Sequence, residues 1–186
     1  LVKYKVASDL RVEAEHTYLG VVWWILEPLL QMSIYYIVFG LLLQNRSSDF
    51  LVYLISGIVF FQWFMSSVAQ GQRSILSNKA LYRMVPTRKI IFPCISVIQS
   101  LIKFLFGLLV LGTFLLYFQY EPNENYMYLP VLLVLQLLLI FGITLVLSSI
   151  VPFIPDLANL VTQMMRMLLY CSGIFYRTDT IPEKYL

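Results

Sequence analysis

Five stretches, 21–43, 51–68, 90–117, 127–151 and 157–175, each carry an apolar run near the ~20 residues that a helix needs to cross a hydrocarbon core of ~30 Å. Backbone groups inside lipid find no water, so runs of this length fold as helices that satisfy their own hydrogen bonds. The expected fold class is therefore an all-α membrane protein, a polytopic helical bundle with about five spans. Composition agrees, since 60% of the 186 residues are apolar and 12% charged, against roughly half and a quarter in soluble domains. A soluble monomer is excluded.

Several chemistries are excluded as well. There is no GxxxxGK[ST] phosphate loop and no HExxH, and the single histidine is His16. On-chain ATP hydrolysis and zinc catalysis thus have no visible site, and no catalytic or metal-ligating set is expected. Cys94 and Cys171 fall in apolar segments at no ligand spacing and are read as small buried residues. A net charge of +3 is too weak to suggest nucleic acid. The chain begins at Leu1 without methionine or a signal-peptide pattern, as a fragment would.

Between the apolar runs, charge is unevenly distributed. Residues 1–19 place Val2, Val6, Leu10, Ala14 and Tyr18 at spacings of four among charged residues. This pattern predicts an amphipathic N-terminal helix, lying in the membrane interface or simply solvated. The 72–89 loop holds Arg73, Lys79, Arg83, Arg88 and Lys89 with no acid, and Ile75, Leu76, Leu81 and Val85 allow a short amphipathic helix ended by Pro86. Segment 1–19 and this loop hold eight Lys/Arg, against three in the 44–50 loop, the 121–126 loop and the 176–186 tail. The positive-inside rule then places the N-terminus, the 72–89 loop and the 152–156 turn in the cytoplasm. Trp23 and Trp24 are expected at headgroup level.

Two cations fall within the spans, Lys103 and Arg166. At about 2.5 to 3.5 kcal/mol for a centrally placed charge, such residues usually face protein, water or a partner. Both could meet an anionic ligand such as a phosphate-bearing lipid head. Alternatively Lys103 snorkels, and Arg166 bonds carbonyls or pairs with Glu27. Aromatic residues such as Tyr35 and Trp63 belong to interfacial belts or line a path on which sugars slide by stacking. The basic loop either docks a soluble partner or only sets topology and meets anionic lipid.

Residues 13–39, EAEHTYLGVVWWILEPLLQMSIYYIVF, closely resemble the opening of ABC-2-type permeases that export polysaccharides, the O-antigen, capsule and teichoic acid group. Further landmarks follow in the family's order: GIVFFQWF at 57–64, SILSNKALYRMVPTRKIIFP at 74–93, the Asp-Leu turn at 153–157, and SGIFYRTDTIPE at 172–183. Pro155 stands where arginine commonly precedes the aspartate, and Gly173 where proline is usual. Family members generally continue through a sixth span, whereas this chain stops at Leu186, as a shortened chain would.

The resemblance implies a permease half in the bacterial cytoplasmic (inner) membrane that pairs with a second copy of itself and with a separate ABC ATPase. That partner would hold ATP and Mg2+, and the chain itself would bind no cofactor. Residues 1–19, with Arg11, Glu13 and Glu15, would form the interface helix. The coupling element, within a transmembrane unit spanning 20–175, would hold Ser74, Asn78, Leu81, Arg83 and Arg88. Lys103, Arg166, Tyr35 and Trp63 would lie on the path of a polysaccharide or lipid-linked glycan among membrane lipids. Phe175, Tyr176 and Pro182 would belong to an external gate continuing into 176–186. Other readings are a permease for a drug or simple lipid, and a membrane scaffold or enzyme of glycan assembly without an ATPase.

Overall fold

The computed structural model describes residues 2–15, 17–38, 48–84, 87–117 and 124–174, and every regular element among them is a helix. In chain order these are α1 (Val2–Glu15), α2 (Trp23–Tyr35), α3 (Ser48–Gln72), α4 (Ser74–Ser77), α5 (Lys79–Met84), α6 (Ile91–Tyr117), α7 (Leu129–Ile150) and α8 (Asp156–Cys171). A short 3-10 turn at Gly20–Val22 leads into α2, and another at Glu124–Tyr128 leads into α7. Gly20 has a φ of +53°, a left-handed conformation that costs glycine nothing and lets the chain turn sharply from α1 into α2.

Among the described residues, four helical segments are long and apolar enough to cross a bilayer: Gly20–Val38, Val52–Gln72, Ile91–Tyr117 and Tyr126–Ile150. The fifth expected span is helical as α8, whose 16 residues extend about 24 Å at ~1.5 Å per residue. Residues 175–186, where the gate residues Phe175, Tyr176 and Pro182 fall, lie outside the described residues.

The central helix is α3, which packs on α6, α7 and α8. Trp63, Phe64 and Val68 of α3 meet Val97 and Phe104 of α6 and Ile140 of α7 in the main buried cluster. A second cluster joins Met32 of α2 to Ile55, Val110 and Leu111. In a third, Phe50, Leu54 and Ile58 pack with Tyr35 and Ile174. Lipid tails are as apolar as leucine, so helices in a membrane associate through close packing and interhelical hydrogen bonds. This chain has both devices. Gly71 lets α3 approach α7 so closely that a β-carbon there would collide with Thr144 Cγ2, and Ser67 Oγ donates to Ser100 Oγ across α3 and α6 at 2.9 Å. Meanwhile α7 buries Thr144 and Ser148 and turns Leu132, Leu135 and Leu138 outward. Such a pattern suits a lipid surround and no aqueous one.

One end of the bundle gathers the polar connections. Gln72 Nε2 donates to Ala158 O (3.1 Å) and Thr162 Oγ1 (3.2 Å), and Arg73 Nη2 donates to Asn159 Oδ1 (2.7 Å). These bonds place the start of the 72–89 loop against the start of α8, at the same end as the 151–155 turn.

The N-terminal helix takes an unexpected position. Gln99 Nε2 donates to Asp9 Oδ2 (3.1 Å), and Lys103 Nζ to Glu13 Oε1 (2.6 Å). Both pairs advance by four residues on each helix, so α1 runs beside the first half of α6 in the same direction. The second half is taken by α2, with Trp24 against Phe106 at a centroid distance of 5.4 Å. Trp24 is therefore level with the region beyond α6's midpoint, and α1 fills the space below it. Cys171 also departs from expectation, being exposed at the end of α8, while Cys94 is half-buried.

Candidate functional site

Between α2, α3 and α6 lies a cleft of about 580 Å³. Its α3 wall follows from helical spacing: Val59, Gln62, Trp63, Ser66, Gln70 and Arg73 recur at three- and four-residue steps and share one face. The α2 wall supplies Trp24, Glu27, Pro28 and Gln31, and the α6 wall Ser100, Lys103, Phe104 and Gly107. Pro28 lacks the amide that would bond the Trp24 carbonyl, one reason this wall carries irregular polarity within an apolar helix.

Aromatic and polar groups share the cleft, with Glu27, Arg73 and Lys103 as its charged members. Trp63 stacks flat on Phe104, with centroids 4.1 Å apart and planes 10° apart, and is only 3% exposed. Its Nε1 is buried without an acceptor, and an unmet donor of this kind costs about 1–3 kcal/mol. Three glutamine amides and several hydroxyls offer donors and acceptors without net charge. The two cations in the lining are engaged from outside it, Lys103 by Glu13 and Arg73 by Asn159. A neutral, hydroxyl-rich ligand with apolar ring faces matches this lining better than a bare anion does.

The ion pair corrects the snorkelling reading of Lys103, because α1 brings a carboxylate to the ammonium. The alternative pairing of Arg166 with Glu27 is not formed among the described residues. Glu27 lines the cleft, whereas Arg166 is exposed on α8 and lines a smaller cavity of about 150 Å³ that shares Gln62, Ser66 and Ala69 with the cleft and adds Gln72 and Thr162. Trp63 and Lys103 are thus brought together, and Arg166 and Tyr35 stand apart from them. Tyr35 is half-buried against the Phe50, Leu54 and Ile58 cluster.

In the loop, the expected single helix is two, α4 and α5, interrupted at Asn78. The Asn78 side chain donates back to Ser74 O at 2.8 Å, and its own carbonyl accepts from Leu81 N–H at 3.0 Å. An asparagine that bonds nearby backbone competes with helix continuation. Ser74 and Ile75 are buried against the bundle, whereas Lys79, Leu81, Met84 and Arg88 are exposed. Arg83 lies within α5. On α1, Arg11 and Glu15 form an exposed pair at 3.5 Å, and Lys5 bonds Asp9 at 2.5 Å.

Sequence reasoning missed Glu27, Gln31, Gln62, Gln70 and Arg73 as members of one wall. The signal was present at 62, 66, 70 and 73, a polar stripe on an otherwise apolar helix. Asp9 and Gln99 carried no signal, because their pairing spans 90 residues of chain. Among the described residues, no three His, Cys, Asp or Glu side chains converge as metal ligands would.

Residues 9–186 match the model of the family described as ABC-2 type transporter. The chain belongs to the ABC-2 type transporter family. As a member of it, with four helices long and apolar enough to span a bilayer among the described residues, it is a multi-pass membrane protein. Similar proteins include the O-antigen export system permease protein RfbA of Klebsiella pneumoniae, 29% identical over 179 residues, covering 96% of this chain and 69% of that protein. RfbA of Myxococcus xanthus is 25% identical over 96% of this chain and 69% of its own length. The polysialic acid transport protein KpsM of Escherichia coli is 24% identical over 90% of this chain and 66% of its own.

Proposed function

We propose that this ABC-2 type chain is the membrane-spanning permease subunit of an ABC exporter that carries a polysaccharide, free or lipid-linked, out of the cytoplasm across the bacterial inner membrane. The single observation that carries this reading is the cleft lining, in which the half-buried Trp24 stands among amides and hydroxyls and no cation is left bare. Such a wall offers sugars exchangeable hydrogen bonds beside an aromatic ring, so a long chain can move along it without being trapped. Relatives named for O-antigen export and polysialic acid transport support the same cargo class.

In this reading the energy comes from elsewhere. A separate ABC ATPase binds ATP and Mg2+ and docks on the exposed Lys79, Leu81, Met84 and Arg88 of the 79–88 region and on α1. A second copy of the chain completes the path, and the basic end, holding the N-terminus, is cytoplasmic. Closure of the ATPase pushes α4 and α5, and the buried Ser74 and Ile75 pass that displacement to α3.

The test is isolation of the native complex from gently solubilised membranes, with co-purifying polypeptides identified by mass spectrometry, alongside a deletion strain examined for surface glycan. The expected result is a near-stoichiometric phosphate-loop ATPase and loss of the glycan from the surface. An intact dimer without an ATPase, with the glycan unaffected, overturns the proposal.

A further inference from the structure

We infer that Lys103 is a positioning residue that fastens α1 to the wall of the cleft, so that α1 and the adjoining α6 wall move together. This rests on the reading above, in which a separate ATPase drives the cleft. Lys103 is both part of the lining and the partner of Glu13, with Nζ 2.6 Å from Oε1. One helical turn away, Gln99 and Asp9 make a second rung, and Asp9 is itself held by Lys5. From α1 the chain passes through Gly20 directly into α2, which carries Trp24, Glu27 and Gln31 of the opposite wall. A displacement of α1 is therefore applied to α6 through side chains and to α2 through the backbone.

The charge balance separates this role from substrate binding. A lysine that held an anionic cargo would be expected to lack a carboxylate at hydrogen-bond distance. Here the Lys103 side chain is 24% exposed and that of Glu13 50% exposed. A pair this open adds little stability by itself, which suits a joint that orients one helix on another. The outer surface of α1, including the Arg11–Glu15 pair, stays free for the partner that would move it.

The experiment uses the full complex with its ATPase in liposomes, comparing Lys103→Glu, Glu13→Lys and the double exchange. Each single reversal is expected to lower glycan moved per ATP by about tenfold, within the range of ordinary coupling free energies, while in Glu13→Lys, outside the lining, KM for the glycan stays within about twofold. The double exchange restores the pair with reversed polarity and is expected to recover most of the loss. A raised KM with no recovery in the exchange assigns Lys103 to cargo binding and overturns the inference.

A second measurement stands independently of transport. Spin labels at Val12 and Ile98, both exposed, are expected to give one narrow distance distribution with and without ATP. That distribution broadens in Lys103→Glu and narrows again in the exchange. An unchanged distribution in Lys103→Glu overturns the joint. A wild-type complex that moves no glycan, with the labels behaving as expected, overturns the export reading and leaves the joint standing.

Discussion

Gly71 illustrates how one absent carbon sets a helix crossing. Its neighbour Gln72 is fully buried and bonds α8, and Ser74 and Ile75 of α4 are buried one step further on. All of this depends on α3 lying against α7 at Thr144. Gly71→Ala forces a β-carbon into Thr144 Cγ2 and Oγ1, and overpacking of this kind costs about 1–3 kcal/mol. Thermal unfolding in detergent is expected to show that loss. Combining Gly71→Ala with Thr144→Ser, which deletes the colliding methyl, is expected to recover part of it. If the alanine variant melts with the wild type, the close approach is not holding α3 on α7.

At the scale of elements, the helices were legible because an apolar run of span length in lipid has only one backbone solution. The break between α4 and α5 was not, since it turns on Asn78 bonding Ser74 O in place of helix continuation. Nor was the placement of α1: spacings of four identified an amphipathic helix, but its partner surface on α6 lies 90 residues away. The stripe at 62, 66, 70 and 73 could have assigned the α3 wall, whereas the walls from α2 and α6 needed the tertiary packing. The exposed end of the 72–89 loop carries the element-scale prediction. Charge reversal at Arg83 or Arg88 is expected to abolish transport while ATP hydrolysis by the partner and the abundance of the permease in membranes persist. Arg88 is exposed on the loop, so its reversal leaves the packing of the spans intact. Normal export by both variants rejects docking at this loop.

Across the whole molecule, polarity is graded from one end to the other. Near the basic end the helices are joined by Ser67–Ser100, Gln72–Thr162, Arg73–Asn159, Gln99–Asp9 and Lys103–Glu13. The far half relies on Met32, Ile55, Val110 and Leu111 and encloses mainly apolar cavities of about 530 and 680 Å³. The polar joints themselves differ in solvent access. The Glu13 side chain is 50% exposed and that of Lys103 24%, so salt at ~1 M, with a Debye length of ~3 Å, weakens their attraction more than it does a neutral buried bond. Gln72 is neutral and fully buried, and its bonds to α8 are insensitive to ionic strength. Hydrogen exchange in detergent is therefore expected to accelerate in α1 as salt rises from 0.1 to 1 M (roughly a threefold fall in screening length), with α3 and α8 unchanged. Equal acceleration in α1 and α8 would mean that α1 is held by the same salt-insensitive packing as the rest of the bundle. Selective loosening of α1 shows instead that the fold keeps its partner-facing helix on a weaker, electrostatic attachment. At low salt that attachment holds α1 on α6, so that the two move together.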